Sequence, residues 1–354
     1  MKYFKPLLCI VMMLFAFLPL QASEEQKEGL DLQGILFGHI QDSYEWHIMD
    51  IGDKAVVIPL PVIVKTSSGW RMFCSSEFEH HADAEGLRHG PDGLSIATKG
   101  DHEGRIVENG EPVLDISITK TVVVLFIDAI LLLLCVLIPA RWCRKHKIDD
   151  PAPKGFTGFM HMFIMYVYHD IIESILGKEA PKYAPYLLTC FFFIFVANVM
   201  GVMPFPPGGG NLTGNIACTL FLAFCTFVIT NVTGTKEYWK EIFWPDVPLF
   251  LKAYPAPVMP IIELFGVFTK PFALMIRLFA NMMAGHAVML SFTCVIFLGW
   301  SMGVGFGLGL NAFSIIMLLF MNLLELLVAF VQAYVFTMLS AVFIGLAHKE
   351  HGEE

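Results

Sequence analysis

Long apolar runs dominate the last two thirds of this chain. Three of them have about the length of one membrane crossing, and two are longer than the roughly 20 helical residues that span a hydrocarbon core of about 30 Å. The pattern predicts an all-α polytopic membrane protein with about five membrane-embedded helices, the last two forming a long tilted hairpin about a glycine-rich turn, Ser301 to Gly309. The five runs are Val122 to Ala140, Tyr186 to Met203, Leu212 to Val232, Pro260 to Trp300 and Leu310 to Leu346.

Residues 156–177 show helical periodicity that polar side chains interrupt. Their apolar residues recur at steps of three or four, as expected of one helix face. We therefore predict an amphipathic helix on the cytoplasmic face of the membrane rather than a further span. The apolar positions are Phe156, Phe159, Phe163, Val167, Ile171 and Ile175, and the interrupting ones are His161, His169, Asp170 and Glu173.

Residues 23–118 differ from the rest because they are polar and rich in turns. Short β-like runs, such as Val56 to Ile58 and Val62 to Val64, predict a small β-rich exported domain. Its histidines are possible metal ligands, but they show no ordered ligand spacing, which favours solvated loop positions. These histidines are His80, His81, His89 and His102.

The first 22 residues have the pattern of a secretory signal. Lys2 and Lys5 precede the apolar stretch Leu7 to Leu20, and small residues follow it. A first transmembrane helix is the alternative, but 14 residues rise only about 21 Å as a helix. We predict a signal peptide at 1–22, an exported extension at 23–118 and a transmembrane domain at 119–354.

Basic residues predict the orientation of the helices. Lys and Arg concentrate in 141–182 and 235–259, whereas the loops 204–211 and 301–309 contain neither. The positive-inside rule then places the basic segments and the C-terminus in the cytoplasm and the extension outside. A mean hydropathy of +0.63 with 16% charged residues agrees with a membrane protein, and the chain has no basic run of the nucleic-acid-binding type.

Arg277 lies deep in an apolar run. An arginine at mid-membrane costs about 2.5–3.5 kcal/mol on insertion scales, and its guanidinium does not lose the proton. Lys270 is seven residues earlier, about 10 Å along a helix, so a simple interfacial position for Arg277 is disfavoured. A permanent buried charge indicates function.

A hairpin register relates Arg277 to four other polar residues. Folding the last two helices about the glycine-rich turn places Arg277 level with Gln332 and His286 level with Glu325. Asn281 shares a helix face with Arg277 through the i, i+4 spacing. An imidazole and a carboxylate at one depth predict a proton relay, although two polar groups that only pin the helices together would show the same pattern.

These residues stand in motifs that resemble those of subunit a of the rotary F-type ATP synthase. The resemblance covers about residues 115–350. Its motifs are Arg277-Leu278-Phe279-Ala280-Asn281-Met282-Met283-Ala284-Gly285-His286, the segment Pro257 to Pro271 and Gln332-Ala333-Tyr334-Val335-Phe336.

The resemblance implies a stator beside a rotating ring of c subunits, with b subunits and the remaining ATP synthase as further partners. Arg277 would face the ring carboxylates. Asn198, Asn281, His286, Glu325 and Gln332 would line the half-channel from the exterior, and Glu263 would belong to the path to the cytoplasm. We expect the bacterial inner membrane and no cofactor or metal, and the signal peptide with the charge pattern predicts a periplasmic extension.

The chain departs from many bacterial members at three places. They have Glu where His286 stands and His where Glu325 stands, so the pair is exchanged, as in mitochondrial members. Gly201 replaces an Asp found in some members, and the resemblance says nothing about the extension.

Two other functions are compatible with parts of the pattern. A secondary transporter could bind an anionic substrate at Arg277, but we find no internal repeat of the kind such folds show. A surface receptor could act through the extension alone, but an anchor has no need of Arg277, Glu325 and Gln332. The His–Glu relay favours H⁺ over Na⁺ as the coupling ion.

Overall fold

The computed structural model describes residues 42–51, 54–79, 83, 86–98, 102–147, 150–203, 210–244, 258–301 and 304–348. The predicted signal peptide, His80, His81 and the loop 204–209 lie outside this part of the chain. For 47–51, 54–56, 258, 297–301 and 304–306 only the backbone is described.

Helices make up the C-terminal two thirds of the molecule. Within the described residues, five segments are long and apolar enough to cross a membrane, which confirms the predicted fold class. The helices are α1 (Lys120–Lys145), α2 (Gly155–Val167), α3 (Ala180–Val202), α4 (Ile216–Thr233), α5 (Lys236–Phe243), α6 (Val258–Ser301) and α7 (Val304–His348).

Side-chain caps explain where two of these helices begin. Asn215 Oδ1 accepts a hydrogen bond from Ala217 N at 2.9 Å, so α4 begins at Ile216 and not at the predicted Leu212. Thr235 Oγ1 accepts one from Tyr238 N at 3.3 Å and starts α5. Helix α3 begins at Ala180, six residues before the predicted Tyr186. Pro181 lies in its first turn, where a missing N–H removes no helical hydrogen bond, and the helix continues through Pro185.

Helix α2 continues through a π-helical turn, Tyr168–Glu173, and a short α-helical turn, Ser174–Leu176. The π-turn adds a residue per turn, so Ile171 and Ile172 are both buried. The predicted apolar face is therefore only partly correct, since Val167 and Ile171 are buried whereas Phe156 and Phe159 are exposed.

The long hairpin is α6 and α7, which pack against each other and against α3 and α4. Their 44 and 45 residues correspond to about 66 Å each, which confirms that both are longer than one crossing needs. The predicted turn at 301–309 is too long, because residues 304–309 are already helical. A helix satisfies its own backbone hydrogen bonds, which apolar surroundings require.

The N-terminal domain, residues 42–118, is called the extension below. It contains antiparallel sheets in the orders β1-β2, β4-β3-β9 and β5-β6-β7-β8, around a core that includes Val62, Val64, Phe78 and Ile106. The strands are β1 (Glu45–Ile51), β2 (Lys54–Pro59), β3 (Pro61–Thr66), β4 (Gly69–Cys74), β5 (Leu87–His89), β6 (Leu94–Ala97), β7 (Ile106–Glu108), β8 (Glu111–Pro112) and β9 (Leu114–Asp115).

The extension joins the helices through its first residues as well as its last. Lys120 N donates to Ser43 O at 2.9 Å, and Thr121 N donates to Asp42 Oδ1 at 3.0 Å, which satisfies the first backbone donors of α1. Trp46 is only 6% exposed and packs with Val124, Ala197 and Leu212 in one cluster. We call this end of the helical bundle the extension end.

Candidate functional site

Arg277 lies on the outward face of α6. Its side chain is exposed, and so are the small neighbours Ala273, Ala280 and Ala284 on the same face. Large apolar side chains flank this strip, including Phe272 at 58% exposure and Ile276 at 39%. No carboxylate among the described residues forms a salt bridge with Arg277, so the guanidinium faces away from the bundle within an apolar surface.

Gln332 is buried beside this strip and contacts Asn281. Asn281 Nδ2 donates a hydrogen bond to Gln332 Oε1 at 2.8 Å, and Gln332 is 4% exposed. The predicted register had paired Gln332 with Arg277, one helical turn away. The hydrogen bond thus places Gln332 next to the arginine's turn and fixes the Asn281 side chain on the same face.

His286 and Glu325 meet between α6 and α7, as the register predicted. His286 Nδ1 lies 3.1 Å from Glu325 Oε1, with side-chain exposures of 13% and 5%. The same nitrogen lies 3.1 Å from Met282 O. Neither oxygen of Glu325 receives a well-aligned hydrogen bond from the described residues, so this is a close acid–imidazole contact with acceptor capacity remaining.

Two glycines make the space for this pair. A Cβ at Gly285 would lie 2.6 Å from Glu325 Oε1, and one at Gly201 would lie 2.9 Å from Met282 Cε and 3.6 Å from His286 Cε1. A Cβ atom is essentially never found as close as 2.6 Å to another heavy atom that is not bonded to it. Gly285 therefore admits the carboxylate, and Gly201 brings α3 close to His286 at the extension end.

Asn198 lies three residues before Gly201, on the same side of α3. It is 1% exposed, and its Oδ1 accepts a hydrogen bond from Thr213 Oγ1 at 2.6 Å. Its Nδ2 has no partner among the described residues. A buried donor without an acceptor costs about 1–3 kcal/mol, which indicates a polar site not explained by packing.

Glu263 lies in α6, 14 residues before Arg277, and near Tyr238 of α5. Burial raises the pKa of the Tyr238 phenol, and the negative charge of Glu263 raises it further. In the described part of the chain, the contacts of the His286–Glu325 pair do not include Glu263.

Sequence reasoning missed a small cavity beside Tyr238, of about 20 Å³, which is enough for one water molecule. Thr230 Oγ1 and Asn231 Oδ1 are buried there without a partner in the described chain. The residues come from α4, α5, α6 and α7, so only the tertiary structure assembles them. The lining is Thr226, Phe227, Thr230, Asn231, Tyr238, Val267, Lys270, Pro271, Phe343 and Leu346.

The sequence offers the histidines of the extension as possible metal ligands, and the structure gives the side-chain contacts of His89. His89 Nε2 lies 2.8 Å from Asp83 Oδ2, and its Nδ1 lies 3.0 Å from Ser95 Oγ. The described residues contain no group of three potential ligands that could hold a metal ion.

Comparisons with known proteins match both parts of the chain. The family model described as ATP synthase A chain matches residues 122–345, and a domain of unknown function (DUF8433) matches residues 35–117. "ATP synthase subunit a" of Chlorobium phaeobacteroides is 43% identical over 244 residues, which cover 68% of each chain. The protein of the same name from Myxococcus xanthus is 38% identical over 265 residues, covering 71% of this chain and 83% of the relative.

Proposed function

Because this chain belongs to the ATP synthase subunit a family, we propose that it is the proton-translocating stator subunit of an ATP synthase. In this role it provides two half-channels to a ring of c subunits and couples proton flow to rotation and ATP synthesis. Its further partners are b subunits, the rest of the complex and membrane lipid.

The observation that carries this proposal is the outward-facing position of Arg277. A permanent charge on an apolar surface, with no partner carboxylate in the described chain, requires a partner from outside it. Ala273, Ala280 and Ala284 surround the guanidinium with small side chains, and small residues let another helix approach closely in a membrane. A passing helix that carries a carboxylate fits this surface.

Arg277 acts electrostatically in this scheme. A positive charge near a ring carboxylate favours the ionised form, so the carboxylate releases its proton when it reaches the arginine. The same charge repels a proton that would otherwise pass directly from one half-channel to the other. Asn281, held by Gln332, provides a neutral polar contact one turn away.

The residues at the extension end form the half-channel from the exterior in this proposal. His286 and Glu325 exchange protons, and Asn198 with Thr213 lies nearer the loop that joins α3 and α4. Glu263 and the small cavity near Thr230 and Asn231 lie toward the opposite end and serve the path to the cytoplasm. The extension is then periplasmic, the C-terminus cytoplasmic and the membrane the bacterial inner membrane.

The decisive experiment replaces Arg277 in the assembled complex. Arg277→Ala should abolish proton-driven ATP synthesis in inverted membrane vesicles, because no fixed charge remains to discharge the ring carboxylates. Arg277→Lys should also fail, since a lysine in this environment can release its proton. The control is Lys178→Ala, which removes an exposed positive charge outside the two proposed paths, with subunit amounts compared by immunoblot. Normal ATP synthesis with a correctly inserted Arg277→Ala subunit would refute the proposal.

A further inference from the structure

Asp128 is a buried carboxyl group that the proposed function does not use. It lies in α1, eight residues after Lys120 and thus about 12 Å from the helix start. Its side chain is 0% exposed. Neither carboxyl oxygen has a hydrogen-bond partner among the described residues, and no charged side chain in that part of the chain acts on it.

The surroundings of Asp128 connect it to the extension end. Val124 is one turn earlier on the same face of α1, and it packs with Ala197 and Leu212. These two residues directly precede Asn198 and Thr213, which are hydrogen-bonded to each other. Cys218 of α4 lies within electrostatic range of Asp128 and is the titratable side chain that faces it in the described structure.

Packing does not explain a carboxyl group at this position. The cluster around Val124, one turn before Asp128, is apolar and includes Ile127, Phe193 and Leu212, and a buried polar group without partners lowers stability. A leucine would fill this space at a lower free energy. Helices α1 and α3 pack together, and each carries a buried polar group without a hydrogen-bond partner in the described chain. These groups are the Asp128 carboxyl on α1 and Asn198 Nδ2 on α3.

We propose that Asp128 is an additional proton-exchanging group on the proton path from the extension end. Its carboxylate accepts a proton to form one O–H bond, and that bond breaks when the proton passes on toward Asn198 and the His286–Glu325 pair. One proton leaves for each that enters, so the group returns to its starting state. The inference rests on the proposed function, because it requires that protons cross this domain.

The test compares Asp128→Asn and Asp128→Leu in the intact complex. Both variants should lower proton-driven ATP synthesis per complex by roughly 100-fold, the lower end of the range for losing an acid–base group. Asp128→Glu should retain most of the activity. In the Asn and Leu variants, the dependence of the remaining rate on the pH of the extension-side compartment should lose one titration step.

A thermal measurement separates this role from a structural one. Asp128→Leu should raise the unfolding temperature of the subunit while it slows proton transfer, a combination that a purely structural carboxyl group does not produce. Cys135→Ala, two turns further along α1, controls for general disturbance of the helix. Wild-type rates and pH profiles in both Asp128→Asn and Asp128→Leu would overturn the inference. If Arg277→Ala is inactive in the same vesicles, that result leaves the proposed function intact.

Discussion

The His286–Glu325 contact has a consequence at the scale of single residues. A Cβ at position 285 would lie 2.6 Å from Glu325 Oε1, so Gly285 leaves room for the carboxylate. The 3.1 Å approach of this oxygen to the imidazole is close but poorly aligned. Such a pair can pass a proton because the Glu325 oxygens are not occupied by a well-aligned hydrogen bond and can still accept one. The two residues should therefore behave as one functional unit.

A double-mutant cycle tests this unit. His286→Glu alone places two carboxyl groups together and disfavours ionising both. Glu325→His alone places two imidazoles together and disfavours charging both. The exchange of both residues restores one acid and one imidazole, so it should recover more ATP synthesis than the worse single variant, beyond additivity. Strictly additive losses across the four proteins would show that the residues act separately.

The sequence predicted part of this site for a clear physical reason. Helical periodicity and a hairpin register are local rules, and they placed His286 opposite Glu325 correctly. The same register placed Gln332 level with Arg277, whereas its observed hydrogen-bond partner is Asn281, one helical turn further on. The length of the side chains and the tilt of the two helices decide which of two residues one turn apart makes the contact. Asp128 and the cavity at Thr230 depend on three or more helices, and no spacing in one chain segment reveals such an environment.

At the scale of elements, Trp46 connects the extension to the membrane helices. Its indole ring is buried against α1, α3 and the segment before α4, and Leu212 in that segment adjoins the Thr213 that holds Asn198. Truncating a buried aromatic side chain costs about 3–5 kcal/mol. Loss of this contact should loosen the extension and the Asn198–Thr213 pair together.

Trp46→Ala should therefore make the junction between extension and α1 sensitive to protease and reduce proton-driven ATP synthesis. The matched control is Trp70→Ala, because Trp70 lies on β4 of the same domain and is 57% exposed. Limited proteolysis of intact vesicles, with the exterior side accessible, gives the comparison. Equal protection of both variants would mean that Trp46 does not attach the extension.

The helices show why element boundaries were harder to predict than the elements themselves. All five apolar runs became helices, because an apolar backbone in lipid must satisfy its own hydrogen bonds. The positions of the helix ends depended on single residues. Asn215 caps the start of α4, and α3 continues through Pro185, where the sequence had predicted its boundary. The π-turn at Tyr168–Glu173 changed the buried face of the preceding helix without any sign in the spacing of its apolar residues.

At the scale of the whole molecule, the proposed orientation follows from charge and from the extension. Reporter fusions after Arg144 and at the C-terminus should be active in the cytoplasm, and a fusion near Gly110 should be active in the periplasm. The Lys and Arg residues of the loops cause this asymmetry. A cytoplasmic signal from the Gly110 fusion would invert the two half-channels and contradict the proposed direction of proton flow.

The backbone contact between the start of the extension and α1 also bears on biogenesis. Asp42 and Thr121 are 79 positions apart in the chain, yet they are hydrogen-bonded. Residues emerge from the ribosome in order, so Asp42 is synthesised before Thr121. In the proposed orientation the outer end of α1 is therefore completed only after the intervening domain has been translocated and has folded back on itself. Export of the extension would then precede completion of the proposed proton path, and a subunit whose extension stalls during secretion would lack the finished outer end of that path.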